Sequence, residues 1–61
     1  MNKVQIFRNY DMTELERDIN KFLSKQFVKR VIDIKHETNV VQDVLGVKLW
    51  TTVIIIYEEK L

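Results

Sequence analysis

The hydrophobic pattern near the end of the chain is that of a β-strand with two apolar faces. Residues 47–58 read VKLWTTVIIIYE, and successive side chains of a strand point to opposite faces. The faces are lined by Val53, Ile55 and Tyr57 on one side and by Trp50, Ile54 and Ile56 on the other. A strand this apolar is expected at the centre of a sheet, with neighbours on both edges.

The segment 11–27, DMTELERDINKFLSKQF, has the periodicity of an amphipathic helix. Its apolar stripe consists of Leu15, Ile19, Phe22 and Leu23. Asp11 is predicted to be the N-cap, with Tyr10 packing on Leu15 as a hydrophobic staple. A competing capping box begins two residues later, at Thr13.

Two further strands are predicted around this helix. Residues 3–7, KVQIF, alternate with Val4 and Ile6 on one side, and residues 28–38 return to a period of two. In the second of these strands, one face is expected to carry Val28, Ile32, Ile34 and His36, and the other Val31, Asp33, Lys35 and Glu37. The segment 39–46, NVVQDVLG, is expected to form the turn, around Gln42, Asp43 and Gly46.

These elements predict an α+β fold in a single domain, residues 1–61, with the order β-α-β-β. A strand–helix–strand crossover should be right-handed, and the last two strands should form a hairpin. We therefore expect a three-stranded, mainly antiparallel sheet of order 2-3-1, with the helix packed on one face.

The second apolar face of the last strand is expected to be covered by another copy of the chain. One helix covers one side of such a sheet, and the uncovered patch would exceed what soluble monomers usually expose. A homo-oligomer, with a dimer as the expected form, is predicted to bury a self-interface of Trp50, Ile54, Ile56, Val40 and Val41. The alternative is that residues 39–46 fold back over this face.

Composition narrows the classes of partner. A chain of 61 residues is at the lower edge of independent folding, and with no cysteine it has neither disulfides nor thiolate zinc sites. A formal charge of +1 argues against nucleic acid and anionic membranes as partners. The longest apolar run, 53–57, is too short for a membrane helix, and the N-terminus lacks a signal-peptide core. We expect a cytoplasmic protein.

The sequence offers little catalytic chemistry. His36 is the single histidine, and the neighbouring carboxylates Asp33 and Glu37 are expected on the opposite face, so we interpret it as structural. Ser24 has no matching base, and no residues have metal-ligand spacing. We predict a protein without cofactor, metal or enzymatic activity.

One local basic cluster consists of Lys25, Lys29 and Arg30. Such clusters are usually solvated surface. If several copies met around an axis, however, this one would line a positive site for a nucleotide or an acidic protein.

Four segments, KVQIF, LERDINKFL, VIDIKHET and VIIIYEE, resemble a family of small sporulation-associated proteins found in Bacillus-type Firmicutes and their phages. Together they span nearly the whole chain. The sequence departs from the family pattern at VVQDVLGVKLW, where a shorter or more polar connection is expected. The resemblance implies a Gram-positive host or one of its phages, and it carries over no functional residue.

Three non-enzymatic functions are consistent with these features. The first is a phage-borne interaction protein that blocks a host defence or regulatory protein. The second is an oligomeric sponge that sequesters a nucleotide signal near Lys29 and Arg30. The third is a sporulation-associated structural or regulatory protein. DNA binding by a strand-based dimer is disfavoured by the near-neutral charge.

Overall fold

The structure, a computed structural model, describes residues 2–60 and has the predicted order of elements. Strand β1 spans Asn2–Asn9, helix α1 Met12–Leu23, strand β2 Val28–Asp43 and strand β3 Gly46–Glu59. Met1 and Leu61, the two ends of the predicted 1–61 domain, lie outside the described residues. All three strands are longer than the sequence pattern predicted.

The three strands form one antiparallel sheet in the order β1-β3-β2. This is the predicted order 2-3-1 counted from the opposite edge, so the α+β class and the sheet topology are confirmed. The most apolar strand occupies the centre because a central strand is shielded on both edges by its neighbours.

Helix α1 begins where the N-cap pattern predicted. The Asp11 Oδ1 atom accepts hydrogen bonds from the backbone N–H groups of Thr13 at 2.9 Å and Glu14 at 3.2 Å. The competing start at Thr13 is therefore wrong, since that residue is already inside the helix. The ring of Tyr10, predicted to pack on Leu15, lies instead against the Trp50 ring at 5.0 Å between centroids.

The core is built from α1 and alternate residues of β3. Its buried members are Leu15, Phe22, Val53, Ile55 and Tyr57, and Phe7, Ile19 and Val28 pack against them. The Phe22 ring is central, at 5.1 Å from the Tyr57 ring and 5.7 Å from the Phe7 ring, both edge-on. Of the two apolar sets on β3, the odd-numbered one therefore packs with the helix.

The predicted alternation of β2 is interrupted by two irregularities. The register against β3 skips Lys29 and Ile32, so β2 has an extra residue at each place, as in a β-bulge. As a result, Val31 aligns with Tyr57 and Ile34 with Ile55, and both face the core side. The prediction that placed Val31 and Ile34 on opposite faces is wrong, because each extra residue shifts the alternation by one.

Beyond β1, the last two strands continue as a two-stranded arm, residues 39–50. The register of β1 with β3 ends at Thr51, whereas β2 and β3 remain paired as far as Asp43 and Gly46. Val44 and Leu45 form the turn, with Gly46 at a φ of 127°. The molecule is accordingly elongated, with a longest extent of 46 Å.

The arm excludes the fold-back alternative for residues 39–46. Asn39 to Asp43 continue β2, and Val44 and Leu45 at the tip are 101% and 83% exposed. The expected turn also moves, because Gln42 and Asp43 remain in the strand. The Asp43 carboxylate accepts a hydrogen bond from the Leu45 N–H at 2.8 Å, which fixes the start of this tight turn.

Candidate interaction surfaces

The sheet face opposite the core carries a compact apolar patch. Val4 lies opposite Ile56 and Ile6 lies opposite Ile54, so the four side chains are cross-strand neighbours on one face. We call these four residues the open-face patch. Val4 and Ile6 are 56% and 59% exposed, and the two β3 isoleucines are partly exposed.

Charged residues border the open-face patch along β2 and at one end of β3. On β2, Asp33 lies opposite Ile56 and Lys35 opposite Ile54, while Glu58 follows the patch along β3. An apolar centre with a polar rim is the usual anatomy of a protein–protein interface. The sequence prediction named Ile54 and Ile56 but missed Val4 and Ile6. The alternation of β1 together with its register against β3 is the signal that joins them.

Trp50 is already engaged within its own chain. Its ring meets the Tyr10 ring edge-on at 5.0 Å, and the Arg8 guanidinium lies 4.8 Å from its centroid. The Lys48 ammonium in turn lies 4.3 Å from the Tyr10 ring. These stacking and cation–π contacts leave Trp50 partly buried at the edge of the same face as the open-face patch.

The predicted self-interface residues do not all share one surface. Val41 is paired with Lys48 and therefore lies on the same face as Trp50, Ile54 and Ile56. Val40 is paired with Leu49 and lies on the opposite face, the side of the core. Four of the five residues are thus on one face, and the fifth, Val40, is on the core-side face of the arm.

Two residues of the predicted basic cluster form ion pairs with Glu58. The Glu58 carboxylate lies 3.7 Å from the Lys29 ammonium and 3.5 Å from the Arg30 guanidinium. Lys25 lies just before β2, where its backbone N–H donates to the Phe22 carbonyl at 3.0 Å. An anion at this place would compete with Glu58 for both basic side chains.

A groove runs beside α1, over β2 and β3. This α1–β2 groove has a volume of about 380 Å³ and is lined by Met12, Leu15, Glu16, Ile19, Asn20, Ile34, His36, Thr51 and Val53. Most of its wall is apolar, and Glu16, Asn20 and His36 supply polar groups. His36 also lines a smaller cavity of about 280 Å³ with Lys35, Glu37, Thr52 and Ile54.

The described residues do not assemble a metal site. Within residues 2–60, no three histidine, cysteine or carboxylate side chains come close enough together to hold an ion. His36 lies opposite Val53 in the register, next to apolar side chains. In the same part of the chain, no helix is long and apolar enough to cross a membrane.

Comparison with known proteins identifies the family. A model of the family described as sporulation protein Cse60 matches residues 1–59. The chain belongs to the sporulation protein Cse60 family. The match confirms the resemblance drawn from the four sequence segments, and it runs through the arm of this Cse60-family protein, including VVQDVLGVKLW. No curated protein and no solved structure matches the chain.

Proposed function

We propose that this Cse60-family protein is a non-enzymatic, self-associating interaction protein that acts during sporulation. The open-face patch carries the proposal, since it is an exposed apolar surface at the centre of a small sheet. The family description favours the sporulation-associated role among the three functions that the sequence leaves open. Blocking of a host protein by a phage-borne copy stays a prediction.

The helix supports self-association because it leaves one face of the sheet free. In this proposal α1 covers one face, through Leu15 and Phe22, and the other is covered by a second copy. Full burial of a valine or isoleucine side chain contributes about 1.5–3 kcal/mol. Val4 and Ile6 are a little over half exposed, so each would add about 1–1.5 kcal/mol per copy on association.

A two-fold arrangement fits this surface. Such an interface brings the same patch of both copies together, so four apolar residues per chain become eight. The rim contains both acidic and basic side chains, among them Asp33, Lys35 and Glu58. A rotation between the copies can therefore set opposite charges against each other, which favours one register of the two sheets.

Substitution of Ile6 tests this proposal. Ile6→Lys places a charge at the centre of the patch, and Gln26→Lys adds the same charge in the exposed connection between α1 and β2. Sedimentation equilibrium should show dimers for the parent chain and for Gln26→Lys. For Ile6→Lys the loss of about 2–3 kcal/mol over two copies should weaken association through the open face about 100-fold.

The control measurement is the circular dichroism spectrum, which should be the same for all three chains because Ile6 is outside the buried core. A parent chain that sediments as a 7.4 kDa species at high micromolar concentration would refute self-association.

In a sporulating host that encodes the protein, Ile6→Lys should lower the count of heat-resistant spores. Gln26→Lys should not, and equal counts would contradict a role for the open face.

A further inference from the structure

The arm, residues 39–50, lacks the support that the rest of the sheet receives. Neither β1 nor the buried core extends to it, because the register of β1 ends at Thr51 and the last core residues of β3 begin at Val53. A two-stranded ribbon on its own is marginally stable in water. The arm of this protein nevertheless continues for five residues on each strand beyond the end of β1, with the two turn residues at its tip.

One face of the arm carries a row of exposed apolar side chains. Val40 lies opposite Leu49, and Val47 follows on the same face of β3. The hydroxyl oxygens of Thr38 and Thr51 are 3.0 Å apart, which shows that this row continues from the core side of the sheet. All three apolar side chains are more than half exposed, and Val44 and Leu45 extend the row to the tip.

The α1–β2 groove opens on the same face, at the base of the arm. Thr51 and His36 line it at the end where the arm begins, and Met12, the first residue of α1, borders it from the helix. Met12 and Ile34 are each about half exposed. The chain therefore presents an apolar tip and, one arm's length away on the same face, an apolar groove.

We propose that two copies of this chain exchange their arms, with the tip of each arm seated in the α1–β2 groove of the other. When two arms pack face to face and antiparallel across a two-fold axis, the tip of each overlies the base of the other. Residues 39–44, from the base of the arm to its tip, span about 20 Å, so the apolar rows overlap along their length. The tip residues then contact Met12 and Ile34 of the second copy.

The exposed apolar area of the arm and groove is close to the apolar area that a standard dimer interface buries. A fully buried valine or leucine side chain removes roughly 60–120 Å² from water. The seven apolar side chains concerned are about two-thirds exposed on average, which amounts to roughly 400 Å² per copy. They are Val40, Val44, Leu45, Val47 and Leu49 on the arm and Met12 and Ile34 at the groove. A standard interface buries about 800 Å² per partner, a little over half of it apolar.

Engineered cysteines test the exchange, because the natural chain contains none. Leu45→Cys combined with Met12→Cys places one thiol at the tip and one at the groove. Within one chain the two are about 20 Å apart, beyond the roughly 7 Å Cα separation that a disulfide tolerates. In the exchanged dimer they meet, so mild oxidation should give a covalent dimer of twice 7.4 kDa.

The matched control combines Leu45→Cys with Arg17→Cys, since Arg17 is an exposed α1 residue that does not line the groove. At micromolar chain concentration, cross-linking of the Met12 pair should be about 100-fold faster, because juxtaposed thiols have millimolar effective concentration. Leu45→Cys alone controls for disulfides between two tips. Equal cross-linking rates for the two double variants would overturn the proposal. A groove that binds another protein instead would leave Met12→Cys without the tip thiol of a second copy, and the missing cross-link would overturn the proposal in the same way.

The arm exchange is independent of the open-face contact, and an arm-exchanged dimer would persist in an Ile6→Lys chain. The sedimentation comparison of Ile6→Lys with Gln26→Lys is therefore made in chains that also carry Leu45→Asp, which removes the arm contact, so that the two proposals fail separately. Adding Ile6→Lys to the Met12 and Leu45 cysteine pair should leave the cross-linking rate within about twofold. Loss of the cross-link on this background would overturn arm exchange as a contact of its own. If the parent chain dimerises but Leu45→Asp leaves its association unchanged, the proposed function stands and the arm exchange is refuted.

Discussion

The Phe22 ring holds the helix to the sheet, and its aromatic contacts set a measurable share of the stability. The ring meets Tyr57 at 5.1 Å, Phe7 at 5.7 Å and Phe27 at 5.9 Å, all edge-on. Each such pair contributes about 0.5–1.5 kcal/mol beyond area burial. Phe22→Leu keeps most of the apolar volume and removes all three pairs, so we expect it to lower the free energy of unfolding by about 2–4 kcal/mol.

Phe27→Leu is the matched control for this change. Phe22 is 8% exposed and Phe27 is 42% exposed, and Phe27 has two aromatic neighbours, one of them a tilted contact at 6.3 Å. The control should cost about 1 kcal/mol, because a half-exposed ring loses less on replacement. Both variants lose one aromatic ring. The difference between their free energies of unfolding therefore reports how much the central position of the Phe22 ring contributes.

Urea unfolding followed by far-ultraviolet circular dichroism and by the fluorescence of the single tryptophan, Trp50, measures both variants. A domain of this length has a total stability of about 3–9 kcal/mol, so leucine is a better replacement than alanine, which would cost about 3–5 kcal/mol and could unfold the chain. All chains are compared at one concentration, because self-association adds to apparent stability. Equal unfolding midpoints for Phe22→Leu and Phe27→Leu would refute the assignment of Phe22 to the centre of the core.

Two local features of the backbone give further predictions. Asp11→Ala should cost about 1 kcal/mol in urea unfolding, because it leaves the Thr13 and Glu14 N–H groups without their acceptor. The control Asp18→Ala, at an exposed helical position, should be nearly neutral, and an equal cost for both would contradict the cap. Gly46→Ala should cost about 1–3 kcal/mol through its φ of 127° alone, since no atom lies within 4 Å of the added methyl group. If Gly46→Ala lowered the free energy of unfolding no more than Gln42→Ala, at an exposed position near the same turn, the positive φ of Gly46 would not be a constraint.

The helix and the sheet order could be predicted from the sequence because their signals are local. Leu15 and Phe22 recur at helical spacing, and Asp11 carries the side chain that an N-cap needs. Strand order then follows from connection lengths and handedness. Two bulges escaped prediction, because a period of two does not show which residue will be left unpaired. Lys29 and Ile32 are both ordinary strand residues.

The length of β2 was missed for a related reason. Residues 39–46 contain an asparagine, an aspartate and a glycine, which are typical of turns, among apolar residues that are typical of strands. The turn-forming residues predicted that the whole segment is the turn, whereas the structure continues both strands through it as an exposed hairpin. Exposure of valine and leucine at the tip of a ribbon has no local sequence signature. It depends on where β1, the strand on the other side of β3, ends.

The candidate surfaces were predicted in part, because a surface joins residues from different strands. Ile54 and Ile56 were identified from the alternation of β3 alone. Val4 and Ile6 join them through the β1 register, which strand alternation does not determine. The contacts of Trp50 with Arg8 and Tyr10 are likewise tertiary. Because of them, this predicted self-interface residue already makes aromatic and cation–π contacts within its own chain.

The buried core and the proposed self-association surface both use β3, but they use different side chains of it. Ile55 has no exposed surface and belongs to the core, whereas its neighbour Ile54 points to the open face and is partly exposed. A strand that is apolar on both sides therefore lets a substitution at one position act on stability and a substitution at the next act on association. Because the inner face alone supplies the buried core, a polar residue on the outer face can abolish a partner contact while leaving the helix and sheet together. This separation makes the open face of so small a protein testable, since loss of binding need not mean loss of the fold.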